Sequence, residues 1–432
     1  MIIIDPKKKA YYKEKTKELI HLVNESRSSS VQKKSDNEDV QDFEGAFINS
    51  YEINEDNYIK DVQERIDDVT VLELNESSCS IINKYVKDIY GNLRRYVALE
   101  TVRDLVYQWI FATYRGQETR LLCDFIEQRI NEDIDTYTFY FPLPYVELKG
   151  YTKLLIGDVT IGTIDDVAIS NNKILQKLNI DVCNNTFASI TMEGDYKLLK
   201  EKAFGEVSFV MDIIKSCSNL KFEIDPSDFC LDIDSKNRSK AASLIIAKRQ
   251  GYSKLNIEQT SSTKIYTIDN KFLQILNNNK IGAFFSLQQH IEKSEPTEFQ
   301  MAVKRGIIRF SDSLSMGSRL ERNVVLCSIL DSFVLTSTEV AIKESLKKYI
   351  PILITTDPQS RKQAKDIINE MYSIRSNFIH HGEGKYISDK QMSLYNYFVF
   401  RTIQAYLVKS REYKELKDLY KDIDQKLDSV IL

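Results

Sequence analysis

Asp357-Pro358-Gln359-Ser360 opens, and Met371-Tyr372-Ser373-Ile374-Arg375-Ser376-Asn377-Phe378-Ile379-His380-His381-Gly382 closes, the stretch that decides how this 432-residue chain is read. Aspartate caps free amides at a helix start, and proline fits the first helical position because its missing N–H costs nothing there. Glycine after the histidine pair suits a left-handed cap. The two signals bracket one long helix over 358–381. Working outward, apolar residues at helical spacing place further helices near 297–316, 319–336, 339–350, 389–408 and 411–430. Residues 296–432 therefore read as an all-α bundle.

Upstream the text changes. Thr136-Tyr137-Thr138-Phe139-Tyr140-Phe141 is β-branched and aromatic, with Pro142 and Pro144 ending it. Leu154 to Gly162 reads as a hairpin or a bulged strand, and Thr186–Met192 as another strand. Asp195 is the expected N-cap of a helix over 198–216. Strand-like text recurs at 242–246 and 264–268, before a helix near 270–277. Residues 136–295 thus form a mixed α+β domain, in the position of a sensing or regulatory module.

Residues 1–135 make the third segment. Within it, 25–60 is Ser-rich and charged with few large apolar residues, as in a linker or exposed loop. Ile82, Tyr85, Val86, Ile89 and Leu93, then Leu105, Val106, Trp109 and Ile110, predict two long amphipathic helices. The break is expected near Gly91 or between Ala98 and Val102. The fold class is α+β and multidomain: mixed α+β N-terminal and central regions, then a helical C-terminal bundle.

Only 14 Gly and 7 Pro in the chain exclude collagen-like and low-complexity readings. Apolar runs are far short of the roughly 20 residues that a bilayer demands. The opening Met1-Ile2-Ile3-Ile4-Asp5-Pro6 has no longer apolar region behind it, unlike a signal peptide. A cytoplasmic protein with no membrane partner is expected. The six cysteines are widely spaced, without a Cys-x-x-Cys pair, and only four histidines accompany them, which leaves few ligands for structural zinc. They read as reduced thiols filling core positions. The net charge of −4 divides unevenly, because residues 301–432 hold 21 Lys/Arg and 16 Asp/Glu, a surplus of five positive charges. A polyanionic ligand is permitted there, while tight nonspecific RNA binding is not favoured.

Several chemistries lack their residues. Gly157 and Gly162 have P-loop glycine spacing, but Thr163 and Ile164 follow instead of Lys and Ser/Thr. No Gly-x-Ser-x-Gly elbow or His-Glu-x-x-His occurs. Asp225, Asp228, Asp232, Asp234 and Lys236 have the acids and lysine of a Mg²⁺-dependent nuclease, or of a solvated acidic loop. His21 and His290 have no evident partner in sequence.

The helix end carries the sharper signal. Arg375 and His380, five positions apart, stand about 140° apart on an ideal helix at roughly 100° per residue. They meet on one phosphate if the last turn loosens before Gly382, or if two copies share the site. Ile374, Phe378 and Ile379 are expected to be buried, leaving Arg375, Asn377, His380 and His381 on a groove. Imidazole suits proton transfer near neutrality, and a guanidinium suits phosphate oxygens. The same residues also suit a helix end with a salt-bridged arginine and exposed histidines.

This Arg-x4-His ending of a long helix in a C-terminal bundle resembles the HEPN superfamily, named for nucleotide-binding proteins of higher eukaryotes and prokaryotes. It is most similar to the ApeA-like branch of phage-defence proteins. The similarity runs over roughly 296–410, through Lys304–Leu314, Leu326–Phe333 and Ile368–Gly382, and is weaker over 142–162 and 186–216. Ser376 stands directly after the arginine, where the family often has Asn, Asp or His.

The resemblance implies a metal-independent ribonuclease without a cofactor, active as an antiviral, abortive-infection toxin. Its 2′-hydroxyl chemistry leaves 2′,3′-cyclic phosphate ends and spares DNA. It implies His380 as the proton-moving group, with His381 as a second candidate, and Arg375 on the phosphorane oxygens. Asn377 would orient His380 or contact the phosphate, and Asp331 would pin Arg375 or form a plain structural ion pair. Further implications are an RNA substrate, a homodimer through the last domain, and a phage-derived trigger or an antitoxin. The alternative is a non-catalytic dimerisation or nucleotide-binding module.

Overall fold

A computed structural model of the protein describes residues 9, 11, 13–14, 16–21, 51–53, 59–61, 76–94, 96–114, 116–143, 145–163, 186–218, 220, 231, 233, 240–249, 252–260, 265–278, 282–293, 295–335 and 342–431. The chain divides into two compact units, each gathered from separate stretches of sequence.

The first unit takes residues 1–140, 190–205 and 244–257. Its helices include α1 (Glu76–Leu93), α2 (Leu99–Tyr114) and α3 (Leu122–Asp133), and residues 16–21 are also helical. The expected pair of long helices is three, with the first break at 94–98 and Gly91 inside α1. The core joins Leu19, Ile82, Tyr85, Ile89, Val106, Trp109, Ile110, Phe125 and Ile126. Trp109 is fully buried, and its indole N–H donates to the Arg120 carbonyl at 3.0 Å, so its one polar group is satisfied.

Strands β1 (Tyr51–Ile53) and β2 (Ile59–Asp61) pair antiparallel, at the end of the stretch read as linker-like. Strand β3 (Asp135–Pro142) pairs antiparallel with β8 (Lys240–Arg249), Phe139 opposite Ala247, and β9 (Tyr252–Thr260) lies between β8 and β1. Asp195 joins two helix starts. Its carboxylate accepts from Ala98 N, ahead of α2, and from Leu198 N in the first turn of α4 (Tyr196–Ser218). The Thr101 hydroxyl also donates to it.

The second unit takes 141–189, 206–243 and 258–432. Strands β5 (Lys153–Ile156) and β6 (Val159–Thr163) form an antiparallel hairpin turning at Gly157, whose φ of 59° favours glycine. Strand β6 continues onto β7 (Thr186–Gly194), with Gly162 opposite Phe187. A separate parallel pair joins β4 (Val146–Leu148) to β10 (Tyr266–Ile268). Helices α5 (Asn270–Asn278) and α6 (Gly282–Lys293) follow.

The rest of this unit is helical: α7 (Glu298–Leu314), α8 (Arg319–Val334), α9 (Ile342–Ile354), α10 (Pro358–His381), α11 (Asp389–Lys409) and α12 (Leu416–Ile431). A mixed α+β chain with a helical C-terminal region is what the sequence leads one to expect. Reciprocal capping boxes open α7 (Thr297 with Gln300) and α11 (Ser388 with Gln391). The core stacks Phe333 on Tyr406 at 4.3 Å between ring centroids, with Phe299 edge-on to Tyr406 at 5.9 Å. Gly306 lets α7 approach closely, since a Cβ there would lie 3.0 Å from the Phe333 ring. Among the described residues, no helix is long and apolar enough to cross a membrane.

Candidate functional site

Helix α10 is built as its sequence specifies. The Asp357 carboxylate accepts from Ser360 N at 2.7 Å, Pro358 occupies the first turn, and Gly382 takes φ 68° while donating to the Phe378 carbonyl. Its buried stripe is Ala364, Ile367, Ile368, Met371 and Ile374, steps of three and four. Phe378 continues that stripe half-buried, whereas Ile379 is 46% exposed. Burial of Ile379 was expected and does not occur. Five positions beyond Ile374, it is rotated about 140° off the stripe.

The same geometry places the polar residues. Arg375 sits beside the stripe, its side chain 23% exposed, and turns toward Asp331 on α8. The nearest guanidinium nitrogen lies 3.9 Å from Asp331 Oδ2. The Arg375 guanidinium also stands 5.5 Å from the Tyr372 ring centroid, one turn back on α10. Asn377, His380 and His381 are exposed. The two imidazole centroids are 6.5 Å apart and set edge to face.

The helix does not loosen before Gly382: it stays α-helical through His381. Among the described residues no hydrogen bond or ion pair links Arg375 to His380. One chain thus brings Arg375 and Asp331 together and leaves Asn377, His380 and His381 facing outward on the same helix.

Behind Arg375 lies a polar cluster that the sequence did not single out. Asn323 and Cys327 on α8 meet Tyr395 on α11 and the Met371 carbonyl on α10. Asn323 Nδ2 donates to Met371 O at 2.9 Å, and Cys327 Sγ lies 3.2 Å from the Tyr395 hydroxyl and 3.5 Å from Asn323 Oδ1. Burial pushes the Cys327 thiol up to about 12 and the Tyr395 phenol well above its usual value. Asp331 is 7% exposed, and burial raises its carboxyl above the usual range while Arg375 pulls it back. Asp331 Oδ1 and Arg375 Nε are buried without a hydrogen-bond partner. The one available signal was spacing: Asn323, Cys327 and Asp331 recur every four residues on α8, so they share a face.

Around the helix end, Lys343 donates to the Ser373 hydroxyl at 3.1 Å, and Ser373 donates to the Asn369 carbonyl. After Gly382 the chain crosses the start of α8, where Arg319 donates to the Ile387 carbonyl at 3.0 Å and pairs with Asp389.

Of the other candidates, His21 and His290 are exposed, each on its own helix. Asp225, Asp228, Asp232, Asp234 and Lys236 lie outside the described residues, as do Cys183 and Cys230. Cys123, Cys217 and Cys327 are free and buried, as expected of core thiols. Among the described residues, no three His, Cys, Asp or Glu side chains are grouped to hold a metal ion. Comparison with protein-family models, curated proteins and solved structures gives no match, so the reading of this helix end rests on its own chemistry.

Proposed function

We propose that the protein is a metal-independent RNA endonuclease, its helical C-terminal region a HEPN-type bundle of the ApeA-like kind, serving antiviral defence in the cytoplasm. The observation that carries this reading is the end of α10. Arg375 faces Asp331 at 3.9 Å, while His380, His381 and Asn377 stand exposed beside a glycine-capped terminus.

In the proposed reaction the ribose 2′-oxygen attacks the adjacent phosphorus. The 2′O–P bond forms, and the P–O5′ bond breaks. One imidazole takes the 2′-hydroxyl proton, and an acid gives a proton to the departing 5′-oxygen. His380 serves as that acid or base, Arg375 holds the equatorial phosphorane oxygens, and Asn377 orients His380 or contacts the phosphate. A continuous helix keeps Arg375 and His380 about 140° apart, so the cleft is completed by a second copy, in a homodimer through the bundle. Residues upstream of 296 restrain the nuclease or receive a phage-derived trigger, with a separate antitoxin as the other means of control.

One observation favours a second reading. Arg375 is already engaged by Asp331 and Tyr372, as suits a structural or nucleotide-binding role in a non-catalytic module. Incubating the full chain with total RNA and single-stranded DNA in excess EDTA separates the two. The nuclease cuts RNA alone and needs both Arg375 and His380. Cleavage that requires Mg²⁺ and survives His380→Ala points instead to Asp225, Asp234 and Lys236.

A further inference from the structure

Five residues after the histidine pair stands an aromatic side chain with no role in the fold's interior. Tyr386 is 75% exposed, the most exposed large apolar residue described. Among the described residues from 296 onward, Leu335, Ile379, Tyr386 and Val408 are the exposed large apolar residues, and two of these four flank His380 and His381 in sequence.

Tyr386 is not on a loose loop. The next residue, Ile387, is 2% exposed, and its carbonyl accepts from Arg319. Ser388 then caps α11 in a reciprocal box with Gln391. Two residues before Tyr386, the exposed Gly384 passes beside the Leu320 side chain, 2.7 Å from where a Cβ would lie. The Arg319 guanidinium stands 6.0 Å from the Tyr386 ring centroid and is itself held by Asp389. A ring braced by a cation and followed directly by the buried Ile387 has less freedom left to lose on binding.

From this we infer that Tyr386 is a stacking platform for a nucleobase of single-stranded RNA, a subsite on the chain segment that follows the proton-moving histidine. Six residues separate Tyr386 from His380, so their Cα atoms are no more than about 20 Å apart. The subsite therefore takes a base within a few nucleotides of the scissile phosphate. Base–aromatic stacking is tolerant of sequence and does not depend on a strong positive field, which suits the modest charge of this region. The inference rests on the nuclease reading for its substrate class, but its test does not need cleavage.

The test uses the full chain and a fluorescein-labelled 2′-O-methyl oligonucleotide, which has base faces but no attacking hydroxyl, with binding read by anisotropy. Tyr386→Ala is expected to weaken binding about tenfold or more, with melting unchanged, and Tyr386→Trp to keep wild-type affinity. An abasic oligonucleotide of the same length should bind wild type and Tyr386→Ala alike. Equal affinity of wild type and Tyr386→Ala for the base-bearing oligonucleotide overturns the platform. So does loss on Tyr386→Phe as large as on Tyr386→Ala, or failure of the wild type to bind. Stacking that depends on Tyr386, with no RNA cleaved in EDTA, keeps the platform and removes the nuclease.

Discussion

The Asp331 carboxylate and the Arg375 guanidinium face each other across α8 and α10 at 3.9 Å, close enough to attract and too far to share a hydrogen bond. Each keeps a buried polar atom unbonded, Oδ1 on the aspartate and Nε on the arginine. A buried pair left incomplete in this way is poorly compensated in an isolated fold and has capacity left for a ligand. Its members therefore respond differently to truncation. Arg375→Ala leaves Asp331, 7% exposed, without a counter-charge and is expected to cost about 2–3 kcal/mol. Asp331→Asn, which keeps shape and removes the charge, is expected to cost about 1 kcal/mol. Chemical denaturation of the two variants checks the order. Equal costs would mean that the pair contributes nothing as a pair.

The same aspartate makes a pH prediction. Burial raises its carboxyl above the ordinary value, against the pull of Arg375. A carboxyl whose pKa is higher folded than unfolded binds its proton more tightly in the native state. Its contribution is present below the ordinary aspartate value of about 4 and is lost as pH rises through the raised value. Wild type should therefore lose stability relative to Asp331→Asn as pH rises from about 4. A difference that grows in favour of wild type over that range contradicts the assignment.

His380 and His381 are both exposed, so either can be truncated with a stability change within about 0.5 kcal/mol. Their effects on RNA cleavage should diverge. His380→Ala is expected to lower the rate by about 10²-fold or more, as removal of a general acid or base does, and His381→Ala to leave most of it. Single-turnover cleavage of a defined RNA measures both, and the reverse order would move the role to His381.

Much of this arrangement was legible in advance, and the reasons are local. Asp357-Pro358 and Gly382 are chemical punctuation, so α10 begins and ends where its capping residues require. Periodicity placed α7, α8 and α11 to within one or two residues. Less was readable where signals depend on distant chain. Strand β4, three residues long, exists only through its pairing with β10. Cys327, Asn323 and Tyr395 belong to three-helix packing that no single helix announces. Ile379 was misread because apolar character was taken for burial when its angle already set it off the stripe. The inward turn of Arg375 follows from where α8 lies, which no periodicity supplies.

Cys327 offers a check on that packing. With the thiol pushed up to about 12 by burial and sited beside Tyr395, it stays protonated at pH 8 and should resist thiol reagents in the native protein. Peptide mapping after brief alkylation is expected to find Cys327 unmodified until denaturant is added. Rapid native labelling would show that α8, α10 and α11 are not packed as described.

Gly382 adopts φ 68°, a conformation that costs a residue with a Cβ roughly 1 kcal/mol. Gly382→Ala is expected to lower stability by about that amount, and Gly382→Asn by less, since asparagine tolerates the left-handed region. Thermal melting of the pair measures it. Identical melting of all three proteins would place the helix end elsewhere.

The central claim is that the end of α10 moves protons in RNA cleavage without a metal. The most direct measurement is the chemistry of the RNA ends left by full-length protein in excess EDTA, with Arg375→Lys and His380→Ala run beside it. The account predicts 2′,3′-cyclic phosphates and 5′-hydroxyls from wild type, and intact RNA from folded His380→Ala. Cleavage by His380→Ala at the wild-type rate, or 5′-phosphate ends, would contradict it.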